Sequence, residues 1–235
     1  MTLLEALRGC EVLLGCAFVQ QSIEHCFGPL TLRWLFVPRL LLALLLIVGV
    51  APLPTLAALF ALGLVALVRF DGAYNGGSDR LGLLLLICLL VARALPDSLW
   101  AEVAMGYLAM QLLLSYFIAG WVKLINPEWL RGRALRDVFM FSAYPVSESL
   151  RGWQQWPRLL WAMSCGVILL EVLFPLALLD ARALWLALLL AGLFHLANAM
   201  LFGLNRFLWV WLAAYPALLW FQGRLGLQAW LAAQF

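Results

Sequence analysis

Any chemistry this chain performs must come from the few ionisable or amide side chains set inside its apolar stretches, and four places qualify. Lys123 is the single lysine against fourteen arginines. Arginine snorkels and holds phosphate well, but a desolvated lysine can lose its proton and then act as a base or an amine nucleophile. The alternative is a snorkelling residue at a helix end beside Trp121. Glu171 lies within the apolar run Cys165 to Leu179, where it is either neutral on its own or ion-paired with Lys123. His195 and Asn198, at i and i+3, project from one helix face, and one helix-to-helix hydrogen bond would account for both equally well. On the first helix, the spacing puts Gln20 with Glu24 and Gln21 with His25, an arrangement that packing against other polar helices also explains.

These residues stand out because their surroundings are a membrane. Of 235 residues, 66% are apolar and 11% charged, with a mean hydropathy of +1.00. Soluble domains have roughly 45–50% and 25%. An ionisable side chain inside a span costs about 2.5–3.5 kcal/mol on insertion scales, so each is a functional candidate by default. A span takes about 20 apolar residues, so the length holds about seven or eight helices and leaves no segment for a soluble domain. The expectation is an all-α integral membrane protein, one polytopic bundle over residues 1–235. The formal net charge of +3 is spread over loops and isolated positions, which argues against a nucleic-acid partner. Membrane lipid is the expected partner, with other polypeptides of a membrane complex as the second class. Cys10, Cys16, Cys26, Cys88 and Cys165 form no CxxC pair and no zinc spacing, and read as small apolar residues. No metal site is expected. The polar content of the first stretch is unlike a signal peptide, so the N-terminus is expected to be retained.

The elements that must position the candidates follow from the apolar runs. A first helix reaches about Phe27. Phe36–Val50 and Thr55–Phe70 form a hairpin around Pro52 and Pro54, and Leu81–Leu95 follows a glycine-rich polar turn. Trp100–Ile125 ends in the lysine, and Asn126-Pro127 stops it and can start the next helix. Residues 126–157 mix Arg131, Arg133, Arg136, Arg151, Asp137 and Glu148 with Trp129, Phe139, Phe141, Tyr144, Trp153 and Trp156, a composition that suits an interfacial helical loop. The last spans are Leu159–Leu179, Ala183–Phe202 and Phe207–Trp220, with an amphipathic tail from Gly223 to Phe235. Tryptophans near the helix ends read as an aromatic belt. Apart from the arginines of the long loop, Arg33, Arg39, Arg69, Arg80 and Arg206 oppose Arg8, Arg93, Arg182 and Arg224, which decides no orientation, and the Lys123 loop is expected on the outside.

Particular segments resemble a family. Phe117-Ile-Ala-Gly-Trp-Val-Lys-Leu-Ile-Asn-Pro-Glu-Trp-Leu-Arg-Gly132 is similar to the AGxxKL…W..G segment of the vitamin K-dependent gamma-carboxylases and their bacterial relatives, the horizontally transferred transmembrane (HTTM) family. Phe194-His-Leu-Ala-Asn-Ala-Met-Leu-Phe202 resembles its FHxxNxxLF segment, Glu171–Pro175 before Asp180 the preceding helix, and Asn75-Gly-Gly-Ser-Asp79 a turn of bacterial members. The resemblance covers most of Phe70 to Phe221. It implies that Lys123 is the base that deprotonates a reduced quinone, that His195, Asn198 and Glu171 belong to the same site, and that Asn75, Trp121 and Trp129 contact the cofactor. A quinone or quinol is the only cofactor it implies. Two departures matter: the Asn-His pair of the carboxylases is absent, since Gly76 and Gly77 follow Asn75, and the large luminal substrate-binding domain has no counterpart before Phe235.

Three readings remain open at this level. The first is an accessory, non-catalytic subunit of a respiratory or photosynthetic type of complex that holds a quinone or isoprenoid lipid. The second is a quinol-dependent enzyme of carboxylase or epoxidase type with Lys123 as base. A transporter, the third, lacks a visible inverted repeat to support it.

Overall fold

The computed structural model describes residues 1–27, 30–69, 77–141 and 148–226. Within them the regular structure is helical and there is no strand. In chain order the helices are α1 (Leu3–Cys26), α2 (Leu30–Val48), α3 (Pro52–Arg69), α4 (Gly77–Ala94), α5 (Leu99–Leu124), α6 (Pro127–Leu130), α7 (Arg133–Phe141), α8 (Glu148–Arg151), α9 (Pro157–Leu173), α10 (Ala181–Phe202) and α11 (Asn205–Leu225). Two 3-10 segments, Gly152–Gln155 and Phe174–Leu179, flank α9.

Local chemistry explains most of the boundaries. Thr2 and Glu5 make a reciprocal capping box at the start of α1, with the Glu5 N–H on Thr2 Oγ1 at 3.2 Å and the Thr2 N–H on Glu5 Oε2 at 2.8 Å. Asn126 Oδ1 accepts from the Glu128 N–H at 2.9 Å, and Pro127 opens α6, as the sequence suggests. Asp180 caps α10 through the Arg182 and Ala183 N–H groups, each at 2.9 Å. The span expected from Leu159 to Leu179 is not one uniform helix. Pro175 has no N–H and its ring crowds the carbonyl four residues back, that of Glu171, so α9 ends at Leu173 and the chain continues as 3-10. Pro38 and Pro216, by contrast, lie inside α2 and α11. Helix α11 extends through Leu225 and takes in the first residues of the expected tail; the rest of that tail, from residue 227, lies outside the described residues, as does Asn75.

Backbone contacts divide the chain into two compact units. Among the described residues, one comprises those of 1–110 with 209–225, and the other those of 111–208. In the first unit α1 packs most extensively on α2, and α4 packs on both α3 and α1. Leu14 and Phe18 of α1, Phe36, Ala43 and Leu46 of α2, and Leu85 and Leu89 of α4 are buried there, as are Cys10 and Cys88. The polar residues of α1 are distributed differently from the expectation. Gln20 pairs with Glu24 one turn on. Gln21, however, donates to Asp79 Oδ1 at 3.1 Å, while the His25 ring stacks on Phe36 with centroids 4.0 Å apart. Helical phase put Gln21 and His25 on one face, but their partners on other helices decide their bonds.

The first unit also holds an ion cluster. Glu11 has no exposed surface, and its carboxylate accepts from Arg93 Nε at 2.6 Å and Nη2 at 2.8 Å and from Arg8 Nη1 at 3.2 Å. Arg8 also donates to the Leu46 and Ile47 carbonyls at the end of α2. A carboxylate removed from water in this way is stable only with such partners.

In the second unit α7 is strongly amphipathic, and the direction of its apolar side is informative. Phe139 is fully buried against Leu160 of α9 and Phe202 of α10, with Leu135, Val138 and Trp153 around them. Arg133, Arg136 and Asp137 lie on the exposed side. The apolar face of α7 is therefore covered by protein, and its charged face is the one left for headgroups or water. Among the described residues, three helical segments are long and apolar enough to cross a membrane: Leu99–Leu124, Pro157–Leu179 and Ala181–Phe202. Their outward residues are large and apolar, among them Trp185, Leu186, Leu189, Leu193 and Met200 on α10. That surface is unfavourable in water and suits lipid, and helices keep every backbone group satisfied there. The chain is an integral membrane protein.

Candidate functional site

The site belongs to the second unit and is organised by one face of α5. Tyr116 and Lys123 are seven residues apart, which is two helical turns, so they lie on one side about 10 Å apart along the axis. Gly120 lies between them on that side. A Cβ there would come within 2.7 Å of the Val172 nitrogen, 2.8 Å of Glu171 Cβ and 2.9 Å of the Glu171 carbonyl carbon. Glycine thus lets the backbone of α5 touch that of α9 directly, as small residues do where membrane helices cross closely.

This close approach brings the first pair of candidates together. Lys123 Nζ donates to Glu171 Oε2 at 2.6 Å and to its own helix at the Ala119 carbonyl at 3.3 Å. The carboxylate side is enclosed, with 4% of the Glu171 side chain exposed, whereas Lys123 keeps 17%. The ammonium also lies 5.4 Å from the centre of the Trp129 ring, within the usual cation–π range of about 6 Å.

Trp129 is held there by two features of the return from α6 to α9. Buried Ser164 donates its hydroxyl to the Trp129 carbonyl at 2.6 Å. Gly132, with φ +72, turns the chain against α9 so closely that a Cβ would lie 2.7 Å from Trp161 Cα. Leu160, Ser164, Ile168 and Glu171 form the buried stripe of α9, recurring at the helical period. Ser164 and Glu171 are thus the two polar positions of one inward face.

His195 forms the second pair. Its Nε2 is 2.7 Å from the Tyr116 hydroxyl, and both side chains are buried. The Tyr116 ring also lies 4.1 Å from that of Phe174, in the 3-10 segment after Glu171. Among the candidates, then, Lys123, Glu171 and Trp129 converge, and His195 joins the same face of α5 two turns away. Asn198 is half-buried one turn beyond His195, and its carbonyl accepts from Gly203 at the C-terminal cap of α10. Trp121 stacks with Phe117, centroids 6.1 Å apart, and is exposed.

Tyr116 and Ser164 do not stand out in the sequence, and Gly120 and Gly132 fall on the glycines of the AGxxKL…W..G segment without any sign there of what they touch. A signal for the first two exists: each is a polar residue seven positions before an ionisable one, on the same face of an otherwise apolar helix. Chemically, the arrangement offers an ammonium and a carboxylate in contact, open on the lysine side, and a separate hydroxyl–imidazole pair able to exchange a proton. Among the described residues no group of three or more His, Cys, Asp or Glu is placed to hold a metal.

The family model of the HTTM domain matches residues 93–222, more than half of the chain and all of the paired residues above. No curated protein and no solved structure matches.

Proposed function

Because the chain belongs to the HTTM domain family, we propose that it is a ligand-holding accessory subunit of a larger complex in a bacterial inner membrane, binding the polar head of a quinone, quinol or other isoprenoid lipid beside Lys123. The observation that carries this reading is the half-open ion pair. Lys123 is oriented by Glu171 at 2.6 Å and by the Trp129 face, yet part of its side chain stays accessible. An ammonium fixed in this way presents a charge-assisted donor to a quinone carbonyl or a polyprenyl headgroup, next to aromatic surface for the ring. The exposed arginines of α7 fit the second half of the proposal, since arginine is enriched where proteins dock.

The Tyr116–His195 pair favours a second reading, a quinol-dependent membrane enzyme. In it Lys123 serves as base toward a quinol hydroxyl, Glu171 orients and balances it, and the hydroxyl–imidazole pair exchanges protons along the same helix face.

Native mass spectrometry of the protein extracted from its own membrane in mild detergent tests the proposal. A stable assembly with other polypeptides, carrying an isoprenoid-lipid adduct that the double variant Lys123→Met, Glu171→Leu loses while it stays folded, is the expected result. An isolated chain without adduct would overturn it. Turnover of a quinol by the isolated chain, abolished in Lys123→Arg, would replace it with the enzyme reading.

A further inference from the structure

A cleft opens at one end of the first unit. It has a volume of about 360 Å³ and lies between the start of α1, the turn from α2 to α3 and the turn from α4 to α5. Leu3, Leu4, Leu7 and Leu53 give it apolar walls, and its two charged residues are Arg93 and Asp97. Most of the cleft precedes the residues matched to the family domain.

Arg93 is prepared for a ligand in a way that a loose surface arginine is not. Its Nε and Nη2 are both engaged by the fully buried Glu11, at 2.6 Å and 2.8 Å, which fixes the plane of the guanidinium. One edge of the fork is used. The Nη1 hydrogens and the second Nη2 hydrogen are not committed to Glu11, and the side chain retains 21% exposure. That remaining edge has the geometry for bidentate contact with a carboxylate or phosphate. The charges sharpen the choice. Arg8, Arg93 and Glu11 together carry +1, and Asp97, exposed on the turn, carries −1. Apolar walls, a fixed anion-binding fork and a nearby carboxylate are the complement of an amphiphile whose headgroup holds an anion and a cation side by side.

We infer that this cleft binds a zwitterionic phospholipid with a primary ammonium, its phosphate on Arg93, its ammonium toward Asp97 and the first part of its acyl chains along Leu3, Leu4, Leu7 and Leu53. The phosphate contact fixes depth in the membrane. The ammonium contact sets headgroup choice, since a primary ammonium donates hydrogen bonds to a carboxylate and a quaternary one cannot.

The test is competitive lipid retention by the full chain. Protein stripped in detergent is offered equal amounts of phosphoethanolamine, phosphocholine and phosphoglycerol lipids with identical acyl chains, and bound lipid is read by native mass spectrometry. Wild type is expected to retain the phosphoethanolamine lipid at least about tenfold over each of the others, the size of effect one charge-assisted hydrogen bond produces. Asp97→Asn, an exposed change outside the ion cluster, should erase the preference over phosphocholine while total binding persists. Arg93→Lys keeps a positive charge without the fork and should lower retention of all three lipids. Equal retention of the three lipids by wild type, a preference for phosphoglycerol, or a phosphoethanolamine preference that survives Asp97→Asn would each overturn the inference. The Asp97 variant keeps the test decisive if Arg93→Lys fails to fold.

Discussion

Replacing Gly120 with alanine examines the closest helix contact in the site. The added Cβ would sit 2.7 Å from the Val172 nitrogen and 2.8–2.9 Å from Glu171 Cβ and carbonyl carbon. Ordinary van der Waals contact begins at 3.4 Å, so α5 and α9 must part locally by up to 3.4 − 2.7 = 0.7 Å. Two of the three obstructing atoms are backbone, so no rotamer change on α9 can relieve them. Overpacking of this kind costs about 1–3 kcal/mol. Alanine regains up to about 1 kcal/mol of helix propensity over glycine. Because two of the obstructing atoms are backbone, the overpacking falls in the upper part of its range, about 2–3 kcal/mol. The net expectation is a loss of about 1–2 kcal/mol, which for a chain of this size lowers the melting temperature by about 2–8 °C. Thermal unfolding of the purified protein in one detergent measures it, with Gly166→Ala as internal control. Gly166 lies in α9, and a Cβ added there would meet nothing within 4 Å, so that variant keeps only the propensity gain and should be neutral or slightly stabilised. A Gly120→Ala protein that melts with the wild type, or above it, would refute the argument that this glycine exists to let the two helices meet.

Two further outcomes concern the pairs themselves. Lys123→Met and Glu171→Leu should each destabilise by several kcal/mol, because each strands one charge in apolar surroundings, and the double variant should lose less than the sum of the two. Additive losses in a double-mutant cycle of thermal unfolding would mean that the 2.6 Å contact is not an energetic pair. Tyr116→Phe removes the hydroxyl from the buried His195 ring nitrogen and should cost about 1–3 kcal/mol; an unchanged melting temperature would show that bond to be unimportant for stability.

Much of the architecture can be read directly from the chain, for local reasons. The Thr2–Glu5 cap, the Asn126-Pro127 start and the Asp180 cap involve residues within three positions of one another, so side-chain chemistry alone determines them. The long apolar spans follow from composition, and the helical period put Gln20 beside Glu24. The break at Pro175 is local too, although the apolar run around it reads as one uniform span.

Contacts between distant segments are a different matter. The sequence proposed Lys123 and Glu171 as partners on charge alone, but the 48-residue separation says nothing about distance. Gly120 and the tight return at Gly132 are what bring α5, Trp129 and α9 into register. His195 could have bonded to any polar group in the bundle, and only the rotation of α10 against α5 selects Tyr116. Gln21 was free by helical phase to join His25 and instead reached Asp79, while Glu11 gathered Arg8 and Arg93 into a cluster that no spacing rule announces. The sequence by itself determined that this is a helical membrane protein and which few polar residues its spans must satisfy. Which partner satisfies each was decided by tertiary structure, because a helix's period sets its own faces, whereas the axial shift and rotation of neighbouring helices depend on the packing of every apolar residue between them.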